Sequence, residues 1–85
     1  MSDIAEGLRR ATLRRLQRDW SCFNSWHLGG KLRPPTFEIE EVEGRLGCWR
    51  RDTRTIAISR RHLEDASWSA VLETVKHEMA HQYVD

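Results

Sequence analysis

The chain has no apolar run long enough to cross a bilayer, and its N-terminus lacks the apolar stretch of a secretory leader. Neither a membrane span nor a signal peptide is therefore expected. There are only two cysteines, Cys22 and Cys48, with neither C-x-x-C spacing nor a disulfide framework around them. They read as buried or idle thiols of a reducing compartment, the cytoplasm by default. Net charge is also nearly absent, at +1, so the composition implies no global attraction to nucleic acid or membrane. The few glycines and prolines form no low-complexity tract, repeat or interdomain linker. At 85 residues the chain is a single domain, 1–85, too small to hide much of its surface. A metal, a partner or further chain would add stability.

What is present is a readable alternation of elements. Helical periodicity runs from about Ile4 to Trp26, with Ile4, Ala5, Leu8, Leu16, Trp20 and Phe23 on one broad side. Arg10, Arg14 and Arg18 line the opposite side. Gly29-Gly30 and Pro34-Pro35 end this helix in a loop. Thr36–Glu40 alternates as a half-buried strand does, a second short strand lies around Leu46-Cys48-Trp49, and Thr55–Ser59 is a third. Asp52-Thr53-Arg54 reads as a turn. A last helix begins near Ala66 or Ser67, with Asp65 or Ser67 as its N-cap. Trp68, Val71, Leu72, Val75, Met79 and Tyr83 give that helix an apolar stripe to lay on the sheet. Four tryptophans supply bulk, with Trp26 and Trp49 read as core or loop packing.

One pattern in the last helix carries chemistry. His77-Glu78-Met79-Ala80-His81 is H-E-x-x-H. Residues four apart on a helix share a face, so both imidazoles can address one metal ion. They fall roughly opposite the apolar stripe, beside Ala70 and Thr74, whereas a core-filling histidine would lie within it. Zinc accepts imidazole nitrogen readily, and catalytic zinc sites take three protein ligands and leave a position for water. The metal brings that water's pKa to about 7. Glu78, next to the first ligand, is placed to take its proton as a carbonyl is attacked and return it to the leaving amine. The expected activity is amide hydrolysis, with Glu78 as base and His77 and His81 as zinc ligands. The plain alternative is two solvated histidines and a surface glutamate on an ordinary helix.

A third ligand is harder to find. His27 lies at a loop entry, and His62 follows Arg60-Arg61 at the foot of the last helix, where a surface role is as well favoured. Asp85 is one turn past His81 and could reach the metal in principle. The helical pattern continues to Asp85 without a stop signal, so the expectation is a C-terminally truncated domain whose third ligand lies beyond residue 85.

Several segments together resemble the SprT-like (Spartan-type) zinc metallopeptidases. Phe23-Asn24, Leu28-Gly29-Gly30-Lys31-Leu32 and Pro34-Pro35 look like that family's helix end and Gly-x-Leu-x-x-Pro turn. Gly44-Arg45-Leu46-Gly47 leading to Trp49 is similar to its glycine-marked strand, and Thr55–Ser59 to its I-x-L-S strand. Val71 to His81 matches the motif helix, and the likeness spans about residues 20–85. The resemblance implies a zincin-like α+β fold: an N-terminal helix, a small three-stranded sheet, then the H-E-x-x-H helix. It also implies zinc, a third histidine in a downstream H-G segment, and a protein or peptide substrate. Members of Spartan type cleave proteins crosslinked to DNA, which extends the substrate class to DNA-associated proteins by analogy alone. Arg10, Arg14, Arg18, Arg50, Arg51 and Arg54 could meet phosphates. The plainer reading is a solvated face balanced by the acidic run Glu38, Glu40, Glu41 and Glu43. The competing functional class is a non-catalytic zinc-binding or interaction fragment.

Overall fold

The structure is a computed structural model that describes residues 2–41 and 44–85. Its elements are α1 (Ser2–Leu28), β1 (Thr36–Glu40), β2 (Gly47–Arg50), β3 (Thr55–Ser59), α2 (Arg60–Asp65) and α3 (Trp68–Val84). The class is α+β, with an N-terminal helix and a small mixed sheet. The strand order is β1-β3-β2, β1 parallel and β2 antiparallel to the central strand. All five β3 residues are buried, as a strand flanked on both edges should be.

The two sheet faces are built differently. Phe37, Ile56 and Ile58 face α1 and α3 and form the core with Leu16, Trp20, Val71, Val75 and Met79. On the other face the register sets Glu38 and Glu40 of β1, Ala57 of β3, and Cys48 and Arg50 of β2. Arg50 reaches diagonally over the central strand and donates both guanidinium arms to Glu40. The small β3 residues Thr55, Ala57 and Ser59 on this face are buried as well, Ser59 with its hydroxyl turned to accept from the His62 N–H of α2.

The N-terminal half of α1 corrects the periodicity reading. Leu16 and Trp20 are buried, but Ile4 and Leu8 are 74% and 66% exposed. Twenty-seven helical residues span about 40 Å, whereas strands of four or five residues cover about 17 Å. The helix outruns the sheet, and among the described residues its first turns border an open groove toward Ile39 and Leu63 and do not pack. Arg10, Arg14 and Arg18 are exposed as expected.

The α1 C-terminus is held closely. Gly29 and Gly30 take positive φ (62° and 73°), and the Gly30 N–H closes the helix on the Asn24 carbonyl. The Asn24 side chain then grips Leu32 from both sides, donating to its carbonyl and accepting from its N–H. The second half of the chain holds one element that periodicity misses. Ser59 caps the short helix α2, and Ser67 caps α3 by accepting from the Ala70 N–H. No described helix is long and apolar enough to cross a membrane.

Candidate metal centre

Helix α3 packs with Val71, Val75, Glu78, Met79 and Gln82 inward. Tyr83, assigned to the apolar stripe by sequence, is instead 51% exposed. Gln82 occupies the inward position next to it. Its amide donates to the Arg33 carbonyl at 2.9 Å and accepts the Trp20 indole N–H at 3.2 Å. The roll of α3 about its own axis is thus fixed by bonds to α1 and to the loop that Asn24 holds.

That roll turns His77 and His81 outward together. Both are exposed, with ring centroids 5.0 Å apart and ring planes at 81°. Two imidazoles bound at about 2.0–2.1 Å to one roughly tetrahedral ion would hold their centroids about 5 Å apart. The pair therefore has the spacing that a shared zinc ion requires. Both rings open onto a cleft of about 410 Å³ between α3 and β2, where Gly47, Cys48 and Trp49 form the opposite side.

Glu78 lines the same cleft although only 6% of it is exposed. It makes no side-chain hydrogen bond among the described residues, and no buried side-chain oxygen there lacks a partner. Its carboxylate therefore keeps an opening onto the cleft, with acceptor capacity free. A surface glutamate, the plain alternative, would be exposed.

The other ligand candidates do not join the pair. Among the described residues no three His, Cys, Asp or Glu side chains are grouped so as to hold a metal. His62 is neither a surface residue nor a partner of the pair: it is 8% exposed, and its Nε2 lies 2.9 Å from the Thr74 hydroxyl. It locks α2 to α3. His27 is exposed beside Phe23, on the far side of α3 from β2. Asp85 does reach the cleft, where its carboxylate accepts the Trp49 indole N–H at 2.6 Å. Cys48 lines the cleft, but it sits at the strand position alternate to Gly47 and Trp49. Trp49 is the one that turns toward Asp85 and α3.

Two details were not foreseen from sequence. Gly47 lies so close beneath α3 that a Cβ there would come within 2.9 Å of the Ala57 carbonyl oxygen and 3.1 Å of Thr74 Cγ2. That close approach brings β2 up to the histidine-bearing helix. Trp26 is 72% exposed, against the expectation of a packed residue. Trp49 and Trp68 do pack against the core, and Trp68 donates to Asp19 beneath the Arg15 guanidinium.

The arginines do not form a single basic surface. Arg50 is taken up by Glu40 and Glu38, and Arg54 donates to the Arg33 carbonyl. The acidic run pairs with Arg50 and Arg60, not with the α1 stripe, and Glu43 lies outside the described residues.

Comparison with protein-family models, curated proteins and solved structures found no match to this chain.

Proposed function

We propose that this domain is the H-E-x-x-H part of a zinc-dependent endopeptidase of zincin-like, SprT-like type. The observation that carries this function is the pairing of His77 and His81 at 5.0 Å on the flank of α3 that faces β2, with the Glu78 carboxylate opening onto the same cleft. His77 and His81 would hold the ion. When bound, zinc would make hydroxide available near neutral pH and polarise a carbonyl. Glu78 would take the proton from the attacking water and deliver it to the leaving amine. Burial keeps this carboxylate from turning away to bulk solvent, which suits a group that must exchange a proton at one place.

Strand β2 supports a polypeptide substrate. It pairs only with β3 among the described residues, and Gly47 to Trp49 border the cleft. An extended peptide laid there would find unpaired backbone groups beside the catalytic carboxylate. DNA-associated proteins are the substrate class the family resemblance suggests. DNA contact through Arg10, Arg14 and Arg18 would weaken steeply with added salt, and a flat salt response would dismiss it.

The alternative is a non-catalytic zinc-binding or interaction fragment, in which the His77–His81 pair, with no third ligand grouped beside it among the described residues, carries no hydrolysis. The two functions separate on a longer polypeptide from the same reading frame. The peptidase requires a histidine or acidic residue there that completes the site, and cleavage of an unfolded protein such as casein. Stoichiometric zinc without cleavage would favour the fragment.

A further inference from the structure

Two carboxylates line the histidine cleft, Glu78 and Asp85. Glu78 is assigned the proton transfer, and Asp85 takes no part in it. Asp85 stands one turn past His81, and its backbone N–H bonds to the His81 carbonyl at 3.2 Å. Its side chain is held from the opposite wall. Trp49 of β2, whose ring packs against the core, donates its indole N–H to Oδ2 at 2.6 Å. The other oxygen, Oδ1, has no hydrogen-bond partner among the described residues.

Asp85 is not grouped closely enough with His77 and His81 to be a third ligand. Its place on the helix suits another role. A helical side chain leans back over the turn before its own Cα, so Asp85 leans toward His81. Side chains four residues apart have Cβ atoms about 5–6 Å from each other, within reach of a hydrogen bond between an imidazole and a carboxylate. His77 has no such neighbour, because the residue four places on is His81 itself. An imidazole that binds zinc through one nitrogen carries a proton on the other, and that N–H needs an acceptor.

We propose that Asp85 is a positioning residue of the metal centre: its Oδ1 accepts the ring N–H of His81 when the other ring nitrogen holds the ion, while Trp49 holds its Oδ2. The inference rests on the shared zinc site proposed above. The bond would fix one tautomer of His81 and make its metal-binding nitrogen more basic. Trp49 acts through the carboxylate, so β2 contributes to the metal centre without supplying a ligand.

The test is zinc titration of the 85-residue chain, with imidazole nitrogen NMR at saturating zinc. In the wild type His81 should bind through a single nitrogen and carry a proton on the other. Asp85→Ala should weaken zinc binding by about tenfold, the low end for an outer-sphere carboxylate because both residues are exposed. It should also move the protonated nitrogen of His81 and leave that of His77 in place. Asp85→Asn keeps an acceptor oxygen and should recover most of the affinity. Trp49→Phe keeps a ring, removes the N–H, and should lower affinity with the same signature at His81 alone. Asp85→Ala that binds zinc as tightly as the wild type, or that shifts both rings alike, would overturn this role and leave the shared site standing. No response to zinc at either ring of the wild type would overturn both.

Discussion

The indole N–H of Trp20 donates to the side chain of Gln82, 62 residues away in sequence and immediately after His81. This buried bond, with the Gln82 bond to the Arg33 carbonyl, ties the rotation of α3 to α1 and to the loop behind it. Gln82→Leu leaves the buried Trp20 indole N–H without its partner and removes one of the two donors, the other being Arg54, on the Arg33 carbonyl. The expected cost is about 1–3 kcal/mol, seen as a lower midpoint in urea or thermal unfolding. Zinc affinity should fall with it, because the histidines are aimed by the same rotation.

Gly47→Ala should destabilise the domain by about 1–3 kcal/mol, although the change adds one methyl group. The new Cβ meets the Ala57 carbonyl oxygen at 2.9 Å, and backbone yields less readily than a flexible side chain. A thermal melt within a few tenths of a degree of the wild type would show that β2 and α3 are not packed this closely.

The Arg50–Glu40 pair predicts an acid transition. Hydrogen bonding from Arg50 is the main cause that lowers the Glu40 carboxyl from its ordinary value of 4.5 to about 2. A carboxyl whose pKa is depressed on folding contributes stability above its unfolded value, and the contribution is lost as pH falls through the folded one. Stability should therefore decline between about pH 4.5 and 2 by on the order of 1 kcal/mol from this group. The contribution is small because solvent screens the partly exposed Arg50. Arg50→Met should remove that part of the acid dependence, which urea unfolding at a series of pH values measures.

Glu78→Gln should abolish peptide cleavage in a chain that carries a complete ligand set, while zinc content stays unchanged. The amide keeps the size of the carboxylate and loses its ability to take a proton. Cleavage of an unfolded substrate at the original rate would remove Glu78 from the chemistry.

The sequence revealed the strands and the two long helices because alternation and threefold-fourfold spacing are local signals. Thr55–Ser59 was recognisable for that reason, and so were the glycines that end α1. Helix α2 escaped because Leu63 is its one strongly apolar residue, although Ser59 ahead of it is a legible cap. The exposure of Ile4 and Leu8 was hidden, since periodicity tells which side of a helix is apolar but not whether anything lies against it. At the site, the histidine pair and Glu78 could be read from spacing. The inward places of Glu78 and Gln82 could have been read too, because Val71, Val75, Glu78 and Gln82 recur at four, three and four. Ranking by hydrophobicity favoured Tyr83 over Gln82 and concealed the buried amide. The Trp49–Asp85 contact joins residues 36 apart and has no local signature.

The proposed peptidase chemistry requires that His77 and His81 grip one ion jointly. Imidazole nitrogen NMR of the 85-residue chain during zinc titration tests it most directly. Both rings should shift together, saturating at one equivalent with weak affinity, and His77→Ala or His81→Ala should abolish the response of the remaining ring. Independent titration of the two rings, or shifts at His27 or His62 in their place, would contradict a shared metal site.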